Sequence, residues 1–353
     1  MATTFKTLNA KDVISTRNLL HEAIPITGAI VSGTYADENI KNFSHGIFQS
    51  VYDYPYLSSS ANHIFDLSVG YANASSLSGA ANSQNAKKIN IYNQMAQVLV
   101  GFDENNDIRR FDEDGNLTDG GTKINEAIVI NFTRLLTKDE VKKGSFSLEL
   151  GAKATYADPH SNRIKLLDAD GVNSYKVNSP AGEYGLLYAT NSVGTPLDGI
   201  TGSTQQPVGL IYYQAGVAVV TASVFQGLLS SSAEMNSAGE IMDAVLTGST
   251  IQANSDAFRH RVYNMSFNNS VELNSTVYFC RANHNEFNYS ANPTYLSASK
   301  LVVKNDSADV PVSYATTVGL YSPDNELLAV AKLSEPLKKD PTTEFTVRVR
   351  LDY

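Results

Sequence analysis

The strictest signal in the chain is the alternation at its end. Phe345, Val347, Val349, Leu351 and Tyr353 are separated one by one by Thr346, Arg348, Arg350 and Asp352. A two-residue period places all the apolar members on one face of a strand, whereas a helix would smear them around its axis. The segment is therefore predicted to be a strand that closes a core. The same period recurs where Phe146, Leu148 and Leu150 alternate with Ser145, Ser147 and Glu149. Composition agrees: Ser, Thr and Asn supply about a quarter of the residues, and charged residues only 18%, below the usual ~25%. Hydroxyl and amide side chains of this kind suit strands and turns better than charged helical bundles. The expected fold class is mainly β with minor α, an antiparallel β-sandwich-like core with a few short helices.

With 353 residues the chain can close one large core or two ordinary ones. Residues 1–125 read as a mixed region and 126–353 as a mainly β domain, with 151–260 a candidate inserted subdomain. Within the first, Val13–Ala23 has helix-like spacing and Ala29–Tyr35 looks extended. A helix is expected over Asn85–Leu99, where Ile91, Tyr92, Met95, Val98 and Leu99 recur at three- and four-residue intervals and Gly101 supplies a left-handed stop. Asp103–Gly121 reads as loop or hairpin. Strands are expected at Ala127–Phe132, at Gly209–Phe225 around a Gln214–Gly216 turn, and at Val262–Phe267, Val271–Cys280 and Leu301–Lys304. A further helix is expected at Glu240–Leu246. Pro323, Asp324 and Asn325 mark a hairpin between Thr317–Tyr321 and Leu327–Leu333, and Lys338 and Lys339 an exposed turn.

The charge balance of −9 contains no run of Lys or Arg, so the electrostatic footprint of nucleic-acid binding is missing. Cys280 is the only cysteine, which excludes an internal disulfide and a CxxC metal site. Met1–Leu20 has no continuous apolar stretch of the signal-peptide type, and the most apolar window, Val208–Phe225, falls short of the ~20 residues of a spanning helix. A soluble chain is expected.

Chemistry is hard to find. His21, His45, His63, His160, His260 and His284 show neither HxH nor HExxH spacing. Asp103, Asn105 and Asp107 begin like a calcium loop, yet Ile108 stands where the sharp turn needs Gly and Asp114 where a bidentate Glu belongs. No G-x-S-x-G, G-x-x-x-x-G-K or G-x-G-x-x-G occurs. Cys280 beside Phe279 reads as a strand cysteine, with pairing to His284 as the alternative. Converging carboxylates stay open, since any two acids can meet in space. No cofactor or metal ligand is expected. The most distinctive local feature is the aromatic density of Ile40–Tyr71, where Phe48, Tyr52, Tyr54 and Tyr56 gather around Pro55 and combine apolar area with polar tips.

Three stretches, NIKNFSHGIFQSVYDYPYLSSSANHIFDLSVGY (39–71), VYFCRANHNEFNYSANPTYL (277–296) and VGLYSPDNELLAVAKLSEPLKKDPTTEFTVRVRLDY (318–353), together about a quarter of the chain, resemble virion structural proteins of contractile-tailed bacteriophages, particularly cyanobacterial phages related to the T-even group. The resemblance implies a tail or baseplate component, assembled in the host cytoplasm, with other tail proteins and copies of itself as partners and no catalytic motif. On that reading the interface candidates are Phe48, Tyr52, Tyr54, Tyr56, His284, Asn285, Phe287 and Tyr289, each of which could equally pack on its own sheet. A receptor- or glycan-binding tail module and a tail-associated hydrolase are the alternatives.

Overall fold

The computed structural model describes residues 5–79, 83–117, 121–151, 159–161, 163–191, 207–225, 250–289, 296–297, 300–301, 308 and 310–353. In chain order its strands are β1 (Val13–Thr27), β2 (Ile40–Asn42), β3 (Gln49–Tyr52), β4 (His63–Tyr71), β5 (Phe111–Asp112), β6 (Lys123–Ile124), β7 (Glu126–Phe132), β8 (Glu140–Val141), β9 (Ser147–Gly151) and β10 (Arg163–Leu167). There follow β11 (Tyr184–Asn191), β12 (Pro207–Tyr212), β13 (Val217–Thr221), β14 (Val262–Ala282), β15 (Leu296–Ser297), β16 (Lys300–Leu301), β17 (Ser313–Tyr321), β18 (Leu327–Lys339) and β19 (Phe345–Asp352). The α-helices are α1 (Gly28–Ser32), α2 (Ser83–Leu99), α3 (Arg134–Thr137) and α4 (Ile251–Arg261). The protein is mainly β with minor α. Two compact units divide it, a larger one of Leu20–Val271 and a smaller one of Met1–Leu19 with Glu272–Tyr353. The boundary expected near 125 falls inside the larger unit, where β7 pairs with β4 on one side and β13 on the other.

In the larger unit the strands follow the order β14-β9-β10-β11-β12-β13-β7-β4-β3-β2, antiparallel throughout. Side chains of β7, β12 and β13 alternate between two cores. Ile128, Ile130, Phe132, Ala218 and Val220 join one, while Ala127, Val129, Leu210, Val217 and Val219 join the other with Tyr92, Ala96 and Leu99 of α2. Gly70 lets the helix approach: a Cβ there would lie 2.6 Å from the Lys88 carbonyl oxygen. The expected stop holds, since Gly101 adopts φ +88° and its N–H donates to the Ala96 carbonyl at 3.0 Å, the left-handed end that glycine favours.

The first core shows that the sheet folds back on itself. Phe267 on β14 and Phe132 on β7 lie six strand steps apart, roughly 29 Å in a flat sheet. Their ring centroids are 4.9 Å apart. Phe65 and Phe146 also meet Phe132, at 6.1 and 6.0 Å. Opposite ends of one sheet therefore share one core, the sandwich-like arrangement expected.

Several local readings are corrected. Val13–Ala23 is strand, not helix: its side chains are largely exposed, so its apolar spacing has no core to serve, and β14 supplies the ladder. Ala29–Tyr35 is not extended, because α1 occupies Gly28–Ser32 and its Val31 carbonyl is held by Nη1 of buried Arg259 at 2.7 Å. The two strands expected over 262–280 are one, β14. Lys338 and Lys339 form no exposed turn; they end β18, and Lys339 is buried. The strand ladder reaches them past Pro336 through a register break after Thr317↔Lys332, where proline's missing N–H is tolerated. At 345–352 the alternation is as expected, but only Val349 is closed off from solvent, while Phe345, Val347 and Leu351 are half-buried. The helix expected at 240–246 and residues 302–304 lie outside the described residues.

Two outcomes follow for the larger unit. Phe132→Ala should cost about 3–5 kcal/mol of unfolding free energy in urea titrations, since its ring joins both ends of the sheet. Lys88, fully buried with its ammonium 5.8 Å from the Tyr71 ring centre, has its pKa pulled down by burial from 10.5 to about 8. Between those values unfolding takes up a proton, so stability rises with pH there and is flat below. Relative to Lys88→Met, the native chain should gain stability between pH 8 and pH 10.5, read from urea midpoints across that range.

Candidate functional sites at two aromatic surfaces

In the larger unit, β2 and β3 form the edge of the sheet and carry the first surface. Val51 points into the core and Tyr52 out of it, where its ring lies 5.1 Å from that of His63, its cross-strand partner. Tyr56 stands 6.2 Å from Tyr52, and Tyr54 meets Tyr35 edge-on at 5.2 Å. Tyr54 and Tyr56 are exposed, and Leu57 beside them is 85% exposed. The 53–62 loop that presents them is tied down. Asp53 accepts from the Asn62 backbone N–H at 2.6 Å and from its side-chain amide at 2.8 Å, while the Tyr56 N–H donates to the Glu38 carbonyl at 3.1 Å. Beneath, buried Asn39 donates to the carbonyls of Ile30 and Tyr52 at 2.5 and 2.9 Å.

Phe48 belongs to a different group. Its ring packs against Phe43 at 4.8 Å and His45 at 5.0 Å, and the Lys41 ammonium sits 4.8 Å above Phe43. The residues expected to act together thus divide into Tyr52, Tyr54 and Tyr56 on one side and Phe48 on the other. Sequence reasoning missed Tyr35, which it placed in a strand. The turn that brings Tyr35 to Tyr54 runs through Ala36 and Asp37, at φ +47° and +69°, a left-handed pair whose only trace in the sequence is the polar Ala-Asp-Glu step.

The smaller unit brings His284, Asn285, Phe287 and Tyr289 together on one loop after β14, and charged side chains build it from below. Lys339 donates to the His284 carbonyl at 3.1 Å, the Asn288 Oδ1 at 2.5 Å and the Asp340 carbonyl at 2.8 Å, which occupies all three of its N–H bonds. Glu344 accepts from the His284 backbone at 3.3 Å and faces its Nδ1 at 3.1 Å; those bonds hold the Glu344 carboxyl below its usual range. Glu286 pairs with Lys6 and accepts from the Asn283 N–H at 3.1 Å, and the same two partners lower its pKa. Phe287 is held at φ +55°, a left-handed conformation that costs a non-glycine residue about 1–3 kcal/mol. What the loop achieves is presentation: Phe287 and Tyr289 are 47% and 59% exposed.

Elsewhere the groups with chemical potential are engaged. Asp103 Oδ1 accepts from the backbone of Asn105 and Asp107, each at 2.8 Å, which is an Asx turn. Among the described residues no three His, Cys, Asp or Glu side chains gather as metal ligands. Cys280 faces Val347 across the β14–β19 ladder, and burial raises its thiol pKa, the opposite of an activated nucleophile. His284 is paired with Glu344, not with Cys280. The two surfaces can therefore stack and hydrogen-bond a partner; elsewhere the Ser270 hydroxyl meets His21 Nδ1 at 3.1 Å, on a ring nitrogen that also faces the Asn269 carbonyl at 3.2 Å.

Lys339→Met should loosen the second surface, with faster amide hydrogen exchange over 283–289 and a loss of about 1–3 kcal/mol. Lys338→Met, next to it, removes only the surface ion pair with Asp340 at 3.2 Å and should cost at most about 1 kcal/mol, with exchange over 283–289 unchanged. No family model, curated protein or solved structure matches this chain.

Proposed function

We propose that this chain is a non-enzymatic structural component of a tailed-phage virion, assembling in multiple copies in the tail, at the baseplate, through interfaces with other tail proteins and with copies of itself. The resemblance of segments 39–71, 277–296 and 318–353 to virion proteins of contractile-tailed phages carries the reading. The structure adds a coincidence that supports it. The first segment holds the Tyr52–Tyr54–Tyr56 surface, the second the Phe287–Tyr289 loop, and the third the β17–β18 hairpin with exposed Tyr321, Leu327, Leu328 and Val330. Tyrosine and phenylalanine on rigid, hydrogen-bonded loops are the side chains that anchor protein interfaces. The work of such a component is mechanical: interfaces that differ between two packings favour one until a signal favours the other. No described helix is long and apolar enough to cross a membrane.

Quantitative mass spectrometry of purified phage carrying this sequence, with heads and tails separated before digestion, tests the reading. Enrichment in tails at a fixed multiple of a known ring protein is the expected result, and absence from both fractions overturns it. The Tyr35–Tyr54 and Tyr52–Tyr56 pairs, each with one exposed ring, favour a second reading, a glycan-binding tail module, because sugar faces stack on such rings. That reading requires saturable binding on a glycan array that Tyr54→Ala abolishes.

A further inference from the structure

Asp168 directly follows β10 in the larger unit and is 2% exposed. Its Oδ2 accepts two hydrogen bonds, from the Gly144 N–H at 2.7 Å and from the Tyr213 hydroxyl at 2.9 Å. Its Oδ1 has no hydrogen-bond partner among the described residues. Two glycines wall that oxygen in. A Cβ on Gly171 would overlap both carboxyl oxygens and the Tyr213 hydroxyl, and one on Gly185 of β11 would lie 2.5 Å from Oδ1. Backbone can approach a side chain this closely only where the residue is glycine.

An ionised carboxylate offers about four acceptor positions. Burying it with one oxygen unserved is costly, whereas the neutral acid gives up far less on leaving water. In the neutral acid Oδ2 is the carbonyl oxygen that takes both donors, and Oδ1 carries the proton in the glycine-lined gap. The titratable and charged groups on the surrounding elements are Asp170 on the same turn, Lys143 beside Gly144, Glu140 on β8, Glu183 ahead of β11, and Tyr213. Lys143 is committed to other partners, since it pairs with Glu183 and sits 3.7 Å from the centre of the Tyr175 ring. Burial is the largest influence on the Asp168 pKa and raises it; the Gly144 and Tyr213 bonds pull it partly back, and the charge of Asp170 raises it again. A cation is a poor substitute for the proton. No third acid, His or Cys joins Asp168 and Asp170 as a ligand set among the described residues, and the glycine walls leave Oδ1 no room for a metal ion.

The carboxyl ties two turns to the end of β12. Gly144, held at φ +74°, belongs to the turn between β8 and β9, and a Cβ there would lie 2.9 Å from Val172 Cγ2. The 168–174 turn closes on itself through the Asn173 and Ser174 N–H groups, which donate to the Asp170 carbonyl at 2.9 and 2.8 Å. It presents Val172, and beyond it Tyr175, to solvent.

We propose that Asp168 is a proton-operated latch: while its carboxyl is neutral it locks the 142–146 and 168–174 turns against Tyr213, and its ionisation as the pH rises releases them. Once released, the carboxyl meets water and returns to its ordinary pKa of 3.8, below that of the closed form. The closed form therefore holds the extra proton, and opening becomes easier as the pH climbs from the ordinary value toward the closed one. Amide hydrogen exchange of the full chain, from about pH 4 to about pH 8 and corrected for the intrinsic rate at each pH, tests the latch. In the native chain protection over 142–146 and 168–175 should fall as the pH rises, by up to about tenfold per pH unit. Asp168→Asn keeps the shape and the oxygen that accepts from Gly144 and Tyr213 but cannot ionise, so its protection should stay level. Tyr213→Phe removes a donor that favours the charged form, so its fall should continue to a higher pH. A native chain whose protection ignores pH overturns the proposal, as does an Asp168→Asn chain with the native slope or a Tyr213→Phe chain whose fall ends at a lower pH. Calcium that restores protection at about pH 8 in the native chain but not in Asp168→Asn also overturns it, because a cation would then occupy the place assigned to the proton.

Discussion

The larger unit depends on the meeting of aromatic rings at Phe132. A sheet of ten strands laid flat would leave one face uncovered over much of its breadth. Twist and curvature bring β14 back over β7, and Phe132, Phe65, Phe146 and Phe267 fill the space between. Offset and edge-on rings add about 0.5–1.5 kcal/mol per pair beyond the area they bury. The other face needs a separate cover, which α2 supplies, and Gly70 sets how closely it sits.

Irregular segments in both units are held by single charged or amide side chains aimed at backbone carbonyls. Arg259 reaches Val31, Gln49, Asp37 and Asp256, so α1, β3 and α4 form one joint. Asn39 does the same beneath the tyrosine loop, and Lys339 beneath the Phe287 loop. A buried carbonyl without a donor costs about 1–3 kcal/mol, so each of these side chains stabilises a stretch that no ladder serves. Both aromatic surfaces stand on such supports. Their rings are consequently presented in fixed positions, which reduces the entropy lost when a partner binds.

The smaller unit follows a different physical logic. Among the described residues Ala282, Leu320 and Val349 are its apolar side chains closed to solvent, and its net charge is zero while the larger unit holds all the excess acid.

What the sequence determined by itself is the local periodicity. The alternation at 345–353, the spacing of Ile91, Tyr92 and Leu99 on α2, the Gly101 stop and the Pro323–Asn325 turn are present as read, because each is decided within a few residues, whereas Val98, read into the same α2 stripe, faces solvent. The aromatic positions were legible too, as residue types. Tertiary structure decided what lay beyond that range. Val13–Ala23 became strand because β14 was there to pair with it, and 29–35 became helix and turn because Arg259, more than two hundred residues away, holds its carbonyl. Lys339 was buried because two acceptors from a distant loop, the His284 carbonyl and Asn288 Oδ1, join the neighbouring Asp340 carbonyl on its ammonium. The grouping of Tyr35 with Tyr54, and the parting of Phe48 from Tyr52, likewise depend on contacts across strands. Local spacing records which face a side chain takes, and only the assembled sheet determines what that face meets.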